Sequence, residues 1–92
     1  MNLDNVSYLH LRNVTVEGEI MGRGGTTVAF LETAPGVVEF AEAWCSPADN
    51  YNKAYGRSKA AGRLSSLRFR RVAYGMDLVK FRHDVMNGEF VL

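Results

Sequence analysis

Residues 45–64 read CSPADNYNKAYGRSKAAGRL, and how this stretch is parsed decides the fold. It follows VVEFAEAW, a β-branched and aromatic run, and it holds a cluster of helix-starting residues. A Ser side chain accepts hydrogen bonds from the free N–H groups of a first helical turn, and Pro at the next position gives up no bond there. Ser46 is therefore expected as N-cap, with Pro47 at the first helical position. Asp49 then completes a capping box and sets a negative charge at the positive end of the helix dipole. This predicts one amphipathic helix from Pro47 to Arg63, ended by Ser65-Ser66.

At about 100° per residue, Ala48, Tyr51, Ala54, Tyr55, Ser58, Ala61 and Gly62 share one side of that helix. They are small apart from the tyrosines and are expected to pack closely. The other side carries Asn50, Asn52, Lys53, Arg57, Lys59 and Arg63, with Gly56 and Ala60 between them. Gly inside a helix costs about 1 kcal/mol relative to Ala, so Gly56 needs a reason. Either it opens a basic trough to an anionic ligand, or it packs against another backbone.

Outward from the helix, VVEFAEAWC at 37–45 alternates Val38, Phe40, Glu42 and Trp44 against Val37, Glu39, Ala41 and Ala43, as a strand does. TTVAFLET at 26–33 is a second strand, joined to the first by the turn Ala34-Pro35-Gly36. VSYLHLR at 6–12 puts Leu9 and Leu11 opposite Tyr8 and His10, and Val14, Val16 and Ile20 continue the extended pattern. MGRGG at 21–25 is expected as a hairpin loop; it lacks the Lys-Ser/Thr of a phosphate-binding P-loop. LRFRRVAY at 67–74 reads as another strand, with Arg68 and Arg70 on one face. Residues 76–88 favour a short helix capped by Asp77, although Asn87-Gly88 also suits a hairpin turn. The fold class is α+β: an antiparallel sheet of about four strands, packed against one main helix. One helix would leave a sheet face bare, which favours a homo-oligomer.

The motif C-S-P-x-D-N-[FY]-x-K-x-x-G-R-x-x-A-x-G-R-L, present from Cys45 to Leu64, resembles one found in small bacteriophage proteins. A strand leading into a C-x-P-x-D-x-F-like helix is also similar to the phage anti-Thoeris sponge family. That resemblance implies a protein that captures a cyclic ADP-ribose-type immune signal and silences host defence.

The 92 residues suit a single domain, 47% of them hydrophobic. A lone cysteine excludes an intramolecular disulfide and fits a reducing compartment. Neither an apolar run of about 20 residues nor a signal-peptide pattern is visible, so a cytoplasmic protein without membrane contact is expected. The net charge of +1 conceals an uneven distribution. Residues 1–45 are acidic, whereas residues 46–75 carry Lys53, Arg57, Lys59, Arg63, Arg68, Arg70 and Arg71 against Asp49 alone. Such a split points to a localised anion-binding surface, or to acidic strands pairing with the basic helix.

Catalysis is not expected, since His10 and His83 are far apart and Cys45 has no C-x-x-C partner. No metal or cofactor is implied. The candidate ligand-binding residues are Asn50, Lys53, Arg57, Arg63 and the loop residue Arg23, with a small anionic nucleotide as ligand. Nucleic acid or a host protein is the alternative partner.

Overall fold

A computed structural model describes residues 5–92. Its elements are β1 (Ser7–Val14), β2 (Ile20–Ala34), β3 (Val37–Asn50), α1 (Lys53–Leu64), β4 (Arg71–Tyr74) and α2 (Leu78–Met86). The strands form one antiparallel meander in the order β1-β2-β3-β4, so the α+β expectation holds, and the 76–88 segment takes its helical alternative.

Register follows the alternation in the sequence. Tyr8 pairs with Ala29 and Ala29 with Ala41; one step along, Phe30 pairs with Phe40. The two faces of the sheet therefore differ in bulk. One presents Ala29, Ala41 and Ala43, and α1 lies on it through Ala60 and Leu64. The other presents Leu9, Val28, Phe30, Val38 and Phe40, and α2 covers it through Phe81 and Val85. Phe81 is fully buried, with ring centroids 5.0 Å from Phe30, 5.1 Å from Phe40 and 5.3 Å from Phe90. Burying such a ring contributes about 1.5–3 kcal/mol relative to leaving it exposed. Since α2 and Phe90 cover this face, the argument for a second subunit from a bare sheet does not hold.

Four boundaries differ from the sequence reading. The β1–β2 turn lies at residues 15–19, where Gly18 takes φ 86° and Thr15 N–H donates to Glu19 O at 2.9 Å. MGRGG is part of β2, which begins at Ile20. On the LRFRRVAY stretch only Arg71–Tyr74 is strand, pairing with Val37–Phe40, so Arg68 and Arg70 do not share a strand face.

The largest correction concerns Ser46, Pro47 and Asp49. They do not start a helix: β3 continues through them to Asn50. Between the pairs Gly25–Cys45 and Arg23–Asn50, β2 takes two steps while β3 takes five, so residues 46–49 bulge out of the ladder. Pro47 has no N–H to pair and is tolerated at a bulge. Gly24, φ 73°, lies beneath it, and a Cβ there would come within 3.1 Å of Pro47 Cα. After the bulge, Tyr51 N–H donates to Gly22 O at 2.9 Å and the chain turns into α1. The N-cap is Asn52, whose Oδ1 accepts from Tyr55 N–H at 2.9 Å.

Candidate functional site

Because α1 starts at Lys53, its packed side is rotated from the expected one. Gly56, Ala60 and Leu64, at i, i+4 and i+8, face the sheet, while Ala54, Tyr55 and Ser58 are exposed. A Cβ on Gly56 would collide with the Thr27 hydroxyl. Gly56 therefore serves close packing against Thr27, and does not open a space between Lys53 and Arg57.

What the packing creates is a polar knot under the first turns of α1. Tyr8, His10 and Arg12 alternate along β1 on the α1 side of the sheet. Thr27, the register partner of His10, is fully buried between β1 and β3. Tyr51, held by the turn out of the bulge, brings its hydroxyl to both. His10 Nδ1 lies 2.8 Å from Tyr51 Oη and 3.1 Å from Thr27 Oγ1, and the two hydroxyl oxygens are 2.7 Å apart. Tyr51 O–H also reaches Thr26 O at 3.3 Å. The Arg12 guanidinium stacks on the Tyr51 ring at 4.5 Å from its centroid and donates to Met21 O at 2.9 Å, while its Nε is buried without a partner. Gly25 makes room for that ring, since a Cβ there would stand 2.9 Å from it.

The electrostatics of the knot are one-sided. Burial, then the positive charges of Lys53, Arg57 and Arg12, hold the His10 imidazole below its ordinary pKa. No acidic group is among the charges acting on it. Among the described residues, Arg12, Lys53 and Arg57 form no salt bridge, whereas Arg70 pairs with Glu39 and Arg71 with Glu42. The acidic strands thus pair with Arg70 and Arg71, while the cations near His10, like Lys59, Arg63 and Arg68, form no salt bridge among the described residues.

On the other flank of α1 a cleft of about 290 Å³ opens between the helix and the bulge. Thr27, Cys45, Asn50, Tyr51, Tyr55 and Lys59 contribute to its lining, so it shares Thr27 and Tyr51 with the knot. Tyr55 is two-thirds exposed, and Lys59 lies 5.8 Å from its ring centroid. The Cys45 thiol sits 3.6–3.7 Å from the carbonyls of Ser46, Asp49 and Asn50, which makes it part of the bulge.

The five residues singled out from sequence are thus divided. Asn50 borders the cleft, and Arg23, its exposed register partner on β2, stands beside it. Lys53 and Arg57 are on the His10 flank. Arg63 is at the far end of α1, where it donates to Glu42 O at 3.0 Å and lies over Phe69, apart from Lys53 and Arg57. Sequence reading did not single out His10, Arg12 or Thr27 as site residues. Their signal was positional: His10 and Arg12 alternate with the core residues Leu9 and Leu11, on a face that a helix covers.

A third cluster lies at the end of α2 and the turn after it, where ligating atoms of His83, Asp84 and Glu89 fall within 4.8 Å of one another. Lys80 Nζ, 2.9 Å from Asp84, already supplies the positive charge there. No described helix is long and apolar enough to cross a membrane. Comparison with protein families, curated proteins and solved structures returned no match.

Proposed function

We propose that this protein is a non-catalytic binder of a small anionic nucleotide. Its phosphate is held by Arg12, Lys53 and Arg57, and its base lies toward the Asn50–Tyr55 cleft. The observation that carries this reading is the gathering of three cations around His10 with no carboxylate partner among the described residues. Uncompensated charge close to a polar, half-buried surface favours an anion, and each charge-assisted hydrogen bond to phosphate contributes about 1.5–3 kcal/mol. The start of α1 adds unpaired N–H groups at the same end. The cleft supports the nucleotide part: Tyr55 offers an exposed aromatic face and Asn50 an exposed amide. At about 290 Å³ it is at the small end of ligand sites. The likeness to the phage anti-Thoeris sponge family would give such a binder a role in sequestering a host defence signal, but that likeness rests on a helix start at residues 45–51, where the chain forms a bulged strand to Asn50 instead.

Titration calorimetry against cyclic nucleotides and short oligonucleotides tests the reading. Saturable binding of a small nucleotide, weakened more than tenfold in Arg57→Ala, supports it. Oligonucleotide binding with a steep salt slope would replace it with a nucleic-acid interface.

A further inference from the structure

The polar knot has a property that the three cations alone lack. His10 Nδ1 contacts Thr27, which has no exposed surface, and Tyr51 Oη. The other ring nitrogen, Nε2, has no hydrogen-bond partner among the described residues and is not buried, so it is open to solvent, and Lys53 and Arg57 of α1 act electrostatically on the ring. We infer that His10 is a conditional fourth cation of the anion site: it takes up a proton when an oxyanion binds Arg12, Lys53 and Arg57, and donates to that anion from Nε2. The inference rests on the anion-binding reading and assigns its pH dependence to one residue.

The hydrogen-bond arithmetic allows both states. In the neutral ring, Nδ1 accepts from Tyr51 O–H and Thr27 O–H donates to the Tyr51 oxygen. In the imidazolium, Nδ1–H donates into the pair of hydroxyl oxygens, and Tyr51 O–H turns to Thr26 O, 3.3 Å away. Charging therefore strands no buried polar group, and the proton comes from solvent.

The charges facing His10 decide which state prevails. From β1 comes Arg12, with the neutral Tyr8 next along the same face; from β2, the uncharged Thr27. Tyr51 lies under the ring edge at 5.9 Å between centroids, and α1 contributes Lys53 and Arg57. Burial, and full charges that are all positive, disfavour the imidazolium in the empty site. A bound dianion cancels two of the three positive charges and sits against the ring, which moves the balance toward the imidazolium. By linkage, the anion binds more tightly as pH falls through the interval between the free and bound His10 pKa values, and affinity is flat on either side.

Sulfate is the suitable probe, because its charge does not change between about pH 5 and 8, where histidine titrates. Ring resonances of His10 and His83 are followed by NMR against pH, with and without saturating sulfate. The expected result is an upward shift of the His10 midpoint on sulfate binding, with the His83 midpoint unmoved. Sulfate affinity should fall with rising pH by up to about tenfold per pH unit, the limit for one linked proton. In His10→Gln, that pH dependence should vanish. Sulfate binding with an unmoved His10 midpoint, or with the same affinity throughout the range, overturns the role of His10 and leaves the anion site standing. If sulfate perturbs no resonance of Arg12, Lys53 or Arg57 at any pH, both fail. The midpoint shift is read on the wild type, so the test survives even if the variant folds poorly.

Discussion

Gly56 on α1 and Thr27 on β2 leave no room for a methyl group between them: a Cβ at residue 56 would strike the Thr27 hydroxyl and stand 3.1 Å from the Thr27 Cβ. This contact sets the height of α1 over the sheet. It explains why a helix with so few large apolar residues still buries a face: the alanines beneath it, Ala29, Ala41 and Ala43, are as small as Gly56 and Ala60 above. It also ties the helix to the His10–Thr27–Tyr51 knot, because Thr27 belongs to both.

Gly56→Ala is accordingly expected to destabilise. Helix propensity alone would favour Ala by about 1 kcal/mol, but overpacking a close contact costs about 1–3 kcal/mol. The second effect should win, since Thr27 is fully buried and its hydroxyl is held by two partners. In urea melts of Gly56→Ala, Thr27→Ala and the double variant, the double variant should lose less stability than the two single losses together, because the colliding oxygen is gone. A Gly56→Ala protein more stable than the wild type would mean that α1 stands off the sheet.

The caps give a comparison of two residues six positions apart. Asn52 Oδ1 accepts from Tyr55 N–H, so Asn52→Ala should cost about 0.5–2 kcal/mol. Ser46 Oγ accepts only from Ala48 N–H within the bulge, and Ser46→Ala should stay within about 0.5 kcal/mol of the wild type. Thermal melts with the reverse ranking would restore the helix start to Ser46.

On α2, Lys80 Nζ donates to Asp84 Oδ2 at 2.9 Å, and this bond holds the Asp84 carboxyl below its usual range and the Lys80 ammonium above its own. For a lowered carboxyl pKa, the contribution to stability is present above the unfolded value, about 3.9, and is lost as pH falls through the folded one. For the raised Lys80 pKa it is present below about 10.4 and is lost at higher pH. Urea midpoints measured from neutral pH into acid should fall less steeply for Asp84→Asn than for the wild type. Parallel acid limbs would show that the pair adds nothing to folding.

Much of the sheet was legible in the sequence, because alternation in β1, β2 and β3 obeys a period that backbone geometry imposes: Leu9 and Leu11, or Val38 and Phe40, can only share a face. The second helix was legible for a similar reason, with Asp77 as cap and Gly88, φ 73°, past its end. The start of α1 was not. Ser46-Pro47-x-Asp49 satisfies the chemistry of a capping box, yet the same residues suit a bulge, where Pro47 has no ladder hydrogen bond to lose. Local propensity cannot choose between these; the pairing of Arg23 with Asn50 does, and that is a long-range fact. Shifting the helix start exchanged its faces, which set Arg63 apart from Lys53 and Arg57 and turned Gly56 toward Thr27. The cations that remained, Lys53 and Arg57, acquired partners from β1 that no local pattern announces.

The division between Arg57 and Arg63 is the most direct test of the site. Both are basic residues of the same helix, but their surroundings differ. Arg63 is half-buried, donates to Glu42 O and stacks on Phe69, so Arg63→Ala should lower the melting temperature and leave ligand affinity unchanged. Arg57 is exposed, makes no salt bridge among the described residues, and acts electrostatically on His10. Arg57→Ala should therefore leave the melt nearly unchanged. Loss of one charge-assisted hydrogen bond, about 1.5–3 kcal/mol, corresponds to roughly a 10- to 150-fold weaker nucleotide. It should also raise the His10 midpoint in the empty site, because one of the three positive charges opposing protonation is gone. Lys53→Ala should act in the same direction on both measurements. If Arg57→Ala leaves both the nucleotide affinity and the His10 midpoint where they were, the phosphate does not sit at the His10 flank. Calorimetry on the Lys59→Ala and Asn50→Ala variants would then show whether the cleft alone holds the ligand.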